Sequence, residues 1–362
     1  MLSESIFKKI DEVIAEQNKD YRGHLGFSII GDTDERKLWL KFNWCLTSSF
    51  EGRMLRLFDL GNRIEDQVID NISDTKVIGV SPLDKDGNQY RASAVGGHFA
   101  GSCDGFVRKV LPESPETILL LEVKSANDKR FKELVKLQDY QGWSQTYQWQ
   151  IHSYMGIFGV TKTLIVVVNK NNNEIYSEII DYNPSIWEQA QEKADRIITS
   201  DAIPDGLSER DWRLKNETDV YREVYLGNRL PPSVNCRNCT SSKAITESNG
   251  AVGWCFRHNK NLTLDEQKNG CQDHLWMPVL VPADHLPDQS TEDKIAYQSG
   301  IVKFFNSTKE NLDANSFSSP ELRELSKAKF DAGIMTGTHG FRDSFDARFV
   351  SVHVMDEDQT PF

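Results

Sequence analysis

The stretch ILLLEVKS, residues 118–125, decides how the rest of the chain is read. Four apolar residues run from Ile118 to Leu121 between Pro115 and Ser125, the length of a strand buried on both faces. Such a strand should stay apolar, yet Glu122 and Lys124 follow at once. Residues two apart on a strand point to the same face. Glu122 and Lys124 should therefore emerge side by side, with Val123 packed on the other face. A buried ionised carboxylate costs several kcal/mol unless something pairs with it. Lys124 is one possible partner and a bound cation is another.

Working outward, a second acid stands where a strand is expected. It is Asp104 in GHFAGSCDGF, residues 97–106, where glycines lead into a strand that runs through Asp104. Mg²⁺ takes hard oxygen ligands, one or two carboxylates together with substrate phosphate oxygens. Asp104, Glu122 and the carbonyl of Val123 would supply such a set. Lys124 could then orient or deprotonate a water, or neutralise charge developing on a phosphate. The plainer reading is a Glu–Lys pair at a strand end.

The surrounding pattern predicts an α/β core with a mixed sheet over residues 20–205. Leu57, Leu60, Ile64, Val68 and Ile72 recur at helical spacing within 50–73. Residues 76–81 and 89–95 read as short strands, and 129–158 as a helix broken near Gly142. Leu164–Val168 is a second buried strand. NKNNNE, residues 169–174, then makes a hairpin turn into Ile175–Ile180, and 185–199 closes as an amphipathic helix. Pro204 marks a boundary. A linker and cysteine-rich segment occupy 206–280, and a polar, loosely packed appendage is expected over 281–362.

Composition narrows the possibilities. The 362 residues carry 42 Lys+Arg against 54 Asp+Glu, a net charge of −12, so the chain is not coated in positive charge like an architectural DNA binder. Local basic groups remain: Arg53, Arg56 and Arg63 on the 50–73 helix, and Lys129, Arg130, Lys132 and Lys136 after Lys124. These could hold phosphates or could simply be a solvated face. No apolar run approaches the ~20 residues of a membrane span. The amphipathic start, with Ile6, Ile10 and Val13 at helical spacing, lacks the parts of a signal peptide, so the cytoplasm is the expected compartment.

Four of six cysteines lie between Cys236 and Cys271. Cys236 and Cys239 are separated by two residues; Cys255 and Cys271 each follow after fifteen more, and His274 comes three beyond. Four thiolates, or three and an imidazole, suit tetrahedral Zn²⁺ and would hold together a segment too small for its own core.

Taken together, Asp104-Gly105, then Glu122-Val123-Lys124 eighteen residues on, then Gln150-Ile151-His152-Ser153-Tyr154, resemble the motifs of PD-(D/E)xK nucleases. The resemblance extends to phage-encoded RecB-like and lambda-exonuclease-like nucleases through GHxxGxxDG, QIHSYM and VVVNKNNNEIYSE, and covers roughly residues 50–200. It implies a restriction-endonuclease-like core and a deoxyribonuclease dependent on Mg²⁺ or Mn²⁺, acting in recombination, replication or host-DNA breakdown inside an infected bacterium. It adds Glu65, in LGNRIEDQVI, to the metal set, with Asp66 as the alternative. It brings Gln150 and Tyr154 to the carboxylates or to the DNA backbone. His98 and His152 are read as structural or as DNA contacts, and Lys170 as a phosphate contact or a turn residue. CRNC, GWC and GCQDH are similar to a cysteine-rich extension of some phage nucleases. A 4Fe–4S cluster is the alternative to zinc there, with Cys45 as the upstream candidate, whereas Cys103 reads as a core residue. The ending MDEDQTPF resembles the acidic tail of bacterial single-stranded-DNA-binding proteins, which implies a replication, repair or strand-annealing partner. Two other readings stand beside the exonuclease: a structure-selective endonuclease, and a non-catalytic DNA- or protein-binding module that inhibits host repair.

Overall fold

The computed structural model describes residues 2–17, 22–46, 52–215, 217–300, 302–313 and 316–331. The tail ending in Pro361-Phe362 lies outside them. The chain divides into two compact units, one of Met1–Thr33 with Ser48–Arg196, the other of Asp34–Thr47 with Ile197–Phe362. No described helix is long and apolar enough to cross a membrane.

A five-stranded mixed sheet organises the first unit. Its order is Gly79–Ser81, Gly105–Arg108, Leu119–Ala126, Lys162–Asn169, Ile175–Asp181. Leu119–Ala126 lies in the middle and runs parallel to Lys162–Asn169, while the remaining pairs are antiparallel. Burial on both faces explains the apolar runs Leu119–Leu121 and Leu164–Val168 in the two central strands. Leu119, Leu121 and Val123 pack with Ile64 and Val68 of the helix Gly52–Asp74. Glu122 and Lys124 turn to the other face, against the helix Gln145–Phe158, which buries Ile151, Tyr154 and Met155. The hairpin turn at residues 169–174 forms as expected, with Asn173 in the left-handed region.

Three expectations are corrected. Asp104 is not in a strand. Phe99–Ser102 belongs to a separate three-stranded sheet with Leu25–Gly26 and Arg91–Ala94, and the chain changes sheets across Cys103 and Asp104 before Gly105–Arg108. Gly105 permits the change, at φ +133, a backbone conformation that side chains with a Cβ rarely adopt. The helical stretch after Lys124 is three helices, Asp128–Leu137, Tyr140–Trp143 and Gln145–Phe158. The breaks fall at Gln138, which caps the first helix in the left-handed region, and at Ser144, rather than at Gly142. Asp139 and Ser144 each cap the next helix with a side-chain oxygen, the usual chemistry of a helix start.

In the second unit, the helix Glu35–Phe42 belongs with residues far along the chain. Arg36 donates to the Pro204 carbonyl at 3.0 Å, and Tyr225 donates its hydroxyl to Asp34. Arg237 is buried between the rings of Phe42 and Trp44. The third correction is the appendage. Asp284–His285, Lys294–Ser299, Val302–Ser307 and Ser316–Phe317 form a four-stranded sheet, followed by the helix Ser319–Asp331. Ile295, Tyr297, Phe304 and Phe317 are buried in it, and Asn306 ties its strands by donating to the Phe317 carbonyl. A small core with internal polar bonds accounts for order in so polar a segment.

A Cβ at position 105 would sit 2.6 Å from the Ser81 carbonyl oxygen, on a backbone conformation already unsuited to it. Gly105→Ala should therefore lower stability by about 2 kcal/mol, read from the midpoint of urea unfolding.

Candidate active site

Glu122 is 1% exposed. Lys124 donates its ammonium to Glu122 Oε1 and also approaches the Val123 carbonyl at 3.3 Å. The same-face placement read from the i, i+2 spacing brings these groups together. Asp104 reaches the same strand from its neighbour, where its Oδ2 accepts from the Val123 N–H at 2.7 Å. That bond fixes Asp104 beside Glu122 and explains why the chain switches sheets there. Glu65 comes from the helix Gly52–Asp74 and lies close beside Asp104. Glu65 is half-buried and Asp66 exposed, so the helix presents Glu65 to the cluster. Gly61, one turn earlier, runs close to the strand; a Cβ there would lie 3.8 Å from Ser125 Oγ.

Three carboxylates thus share one lysine. Burial, then the neighbouring Asp104, raises Glu65 from 4.5 to about 7. Burial raises Glu122 to about 8 against the pull of Lys124. Asp104 is raised by burial as well, although Lys124 and the Val123 N–H oppose the shift. Burial works against the charge on Lys124, but Glu122 and Asp104 outweigh it and hold the ammonium protonated well above its ordinary value. Lys124 is therefore held as a hydrogen-bond donor to Glu122 by the acids around it. Among the described residues, Glu122 Oε2 is buried without a hydrogen-bond partner.

Gln150 and Tyr154 line the same face of the helix Gln145–Phe158. The Tyr154 hydroxyl donates to the Ser102 carbonyl at 2.5 Å, two residues before Asp104. Gly101 makes room, since a Cβ there would lie 2.7 Å from that hydroxyl. Gln150 lies beside the Tyr154 hydroxyl, and its Oε1 is buried with no partner among the described residues. Tyr154 therefore holds the segment that carries Asp104 and does not bond a carboxylate itself.

Other residues singled out in the sequence sit apart. His152 Nε2 bonds Gln141 Oε1 at 2.8 Å and its Nδ1 accepts from the Asn183 N–H, while burial depresses it to about 4. His98 is fully buried. Both are structural. Arg56 pairs with Asp11, Arg63 with Asp59, Arg130 with Glu133 and Lys132 with Asp128, so these basic groups are largely balanced within the fold. Lys170 is half-buried after its strand, its backbone N–H donating to Ala126. Sequence reading missed Tyr147. Its ring faces the Lys124 ammonium 5.7 Å from its centroid, and its position one turn before Gln150 was the available signal.

The cysteines form a second cluster in the other unit. A 3-10 turn, Cys236–Asn238, capped by Asn235, presents Cys236 and Cys239. A three-stranded sheet of Ser242–Ala244, Gly253–Cys255 and Lys260–Leu262 brings in Cys255. A bridge between Cys239 and Trp276 draws in the segment after Cys271. Burial, with Cys239, Cys271 and Cys255 as neighbours, raises the Cys236 thiol to about 12; burial raises Cys239 to about 11, with Cys271 and Cys255 adding to it. His274 is buried and bonds Asn238 Oδ1 through Nε2 at 2.9 Å. Cys45 is raised by burial alone, with no thiol neighbour contributing, and Cys103 is likewise a buried core residue. Among the described residues, no three His, Cys, Asp or Glu side chains stand at the spacing of a closed metal cage.

No protein-family model and no curated protein sequence matches the chain. Solved structures similar to it include an alkaline exonuclease, LHK-Exo, from Laribacter hongkongensis, at 14% identity and a TM-score of 0.37, with 51% of this chain and 90% of that one covered. Its complex with dAMP matches at 13% identity and a TM-score of 0.36, covering 52% and 89%. A phage-related exonuclease from Haemophilus somnus 129PT matches at 14% identity and a TM-score of 0.26, covering 38% and 66%. The overlap is partial, and it is the side chains of the site that bear on function.

The raised carboxylates set a pH dependence. Folded Glu65 and Glu122 hold protons more tightly than the unfolded chain does, so stability from this cluster is fullest below about 4.5 and falls as pH rises through 7 to 8. A divalent cation competing for the ionised cluster would reverse the trend. The rise in Tm on adding Mg²⁺ or Mn²⁺ to metal-free protein should be larger at pH 8.5 than at pH 6, and Glu122→Gln should abolish most of that difference.

Proposed function

We propose that the first unit is a metal-dependent deoxyribonuclease that hydrolyses DNA phosphodiester bonds, acting from DNA ends. The observation that supports it is the convergence of Glu65, Asp104 and Glu122 on the single lysine Lys124, with one oxygen of Glu122 buried and unpartnered. Two of three acids lack a compensating charge, an arrangement that suits a divalent cation. Glu65, Asp104, Glu122 and the Val123 carbonyl would hold Mg²⁺ or Mn²⁺, which would polarise the phosphate and lower the pKa of a bound water.

The chain's own residues do the rest. Asp104 is oriented by the Val123 N–H and by the segment Tyr154 anchors, so two of the acids keep their spacing without substrate. Lys124, protonated, neutralises negative charge as the phosphate accepts a fifth oxygen, and its bond to Glu122 keeps it from swinging away. Gln150 offers its buried Oε1 at the same face.

The second unit, in this reading, is built on a structural metal held by Cys236, Cys239, Cys255 and Cys271. Cys239, Cys271 and Cys255 are among the neighbours that raise the Cys236 thiol, and Zn²⁺ would suit four thiolates drawn together around it. Cys45 stands outside that group, which favours zinc over a 4Fe–4S cluster with an upstream ligand. DNA is the proposed substrate, and a replication or repair protein the proposed partner of the acidic tail.

With Mg²⁺ or Mn²⁺, linear DNA should shorten from its ends while covalently closed circles survive, and Glu122→Ala and Lys124→Ala should each lose at least about 100-fold in rate. Nicking of the circle would instead assign an endonuclease. Absence of cutting by folded wild type with either metal would end the catalytic reading and leave a binding module.

Metal analysis of purified protein should find zinc at one per chain, and Cys239→Ser should lose the zinc together with several degrees of Tm. Iron in place of zinc, with a brown protein, would overturn the zinc assignment.

A further inference from the structure

The helix face that carries Gln150 and Tyr154 extends one turn back to Tyr147, because residues three apart on a helix are neighbours. The Tyr147 ring meets the Lys124 ammonium, 5.7 Å from its centroid, within the ~6 Å over which a ring face attracts a cation. Lys124 is bonded to Glu122 and lies 3.3 Å from the Val123 carbonyl. The ammonium thus has acceptors on its own strand and an aromatic face from the helix.

Tyr147 is itself held in place. It stacks on Tyr140 with centroids 5.9 Å apart and planes 14° from parallel. Trp143 lies 5.7 Å away, and its ring carries the Arg130 guanidinium at 4.6 Å. Arg130 also donates to the Trp143 carbonyl at 3.1 Å. The Tyr140 N–H donates to Glu178 Oε2 at 2.9 Å, and the Tyr176 hydroxyl donates to the same oxygen at 2.6 Å. Glu178 pairs with Ile165, which pairs with Glu122 on its other side. The aromatic group is therefore tied to the cross-strand row that contains Glu122.

We propose that Tyr147 is a positioning residue of this site, its ring face holding the Lys124 ammonium against Glu122 so that the positive charge is in place before a phosphate arrives. A lysine side chain left to itself samples many rotamers. A ring face restrains it while leaving its N–H groups for oxygen ligands. The role rests on the site being a phosphodiester hydrolase, but the placement of Lys124 can be read without catalysis.

Full-length wild type, Tyr147→Phe and Tyr147→Leu would be compared in two ways. In DNA hydrolysis with Mg²⁺, Tyr147→Leu should lose about 10-fold in kcat with KM for DNA within about two-fold of wild type, and Tyr147→Phe should restore the rate. In crystals of metal-free protein, the Lys124 side chain should be spread over several rotamers in Tyr147→Leu and hold one rotamer in the other two. Equal kcat and equal Lys124 placement in the Leu and Phe variants would overturn the proposal. So would a rise in KM at unchanged kcat, which would make Tyr147 a DNA contact instead. If wild type cuts no DNA but the contrast in Lys124 placement holds, the placement stands and the nuclease reading falls. Should Tyr147→Leu fail to fold by circular dichroism, Tyr147→Met carries the same comparison.

Discussion

Three buried or half-buried acids against one lysine is the constraint on which the first unit depends. Glu122 is nearly inaccessible, and its only described partner is Lys124. Asp104 and Glu65 add negative charge that nothing else in the cluster offsets. A carboxylate in that setting either holds a proton or holds a cation. The raised Glu65 and Glu122 are the first outcome, and a divalent ion would be the second. An arrangement that disfavours its own ionised form is costly in a plain structural strand and useful where a cation and a phosphate must meet.

The sheet makes the arrangement possible. Leu119–Ala126 is flanked on both edges and covered on both faces, so its backbone is rigid and its side chains alternate without slack. The apolar half of the alternation locks against Ile64 and Val68, which leaves Glu122 and Lys124 no freedom to exchange faces. The change of sheet at Cys103 and Asp104 then lets Asp104 reach the Val123 N–H. Tyr154 secures that change by bonding Ser102 through the gap left by Gly101. The geometry of the acid cluster and the fold are here the same set of bonds.

The cysteine cluster follows a different logic. Its strands are three residues long and its helix six, too short to bury much surface. Cys236 and Cys255 join Leu262 in a minimal core, smaller than a free-standing domain needs. The sheet of residues 284–317 manages without thiols because Tyr297, Phe304 and Trp276 supply large buried rings.

Local pattern alone determined the central strand, the helix Gly52–Asp74, the hairpin at residues 169–174 and the same-face pairing of Glu122 with Lys124. Each follows from a period of 2 or 3.6 or from turn chemistry, and these act within a few residues. Asp104 and Glu122 were paired by being acids where apolar strand residues were expected, whereas Glu65 was legible only through the resemblance, because nothing local ties it to residue 122. Tertiary structure decided that Asp104 sits at a change of sheet, that Glu65 rather than Asp66 meets it, and that Tyr147 caps Lys124. It also decided that Glu35–Phe42 belongs with residues beyond 197. These outcomes depend on which distant groups share a buried space and on the charge balance there. Burial and charge are sums over neighbours in three dimensions, and a linear pattern does not carry them.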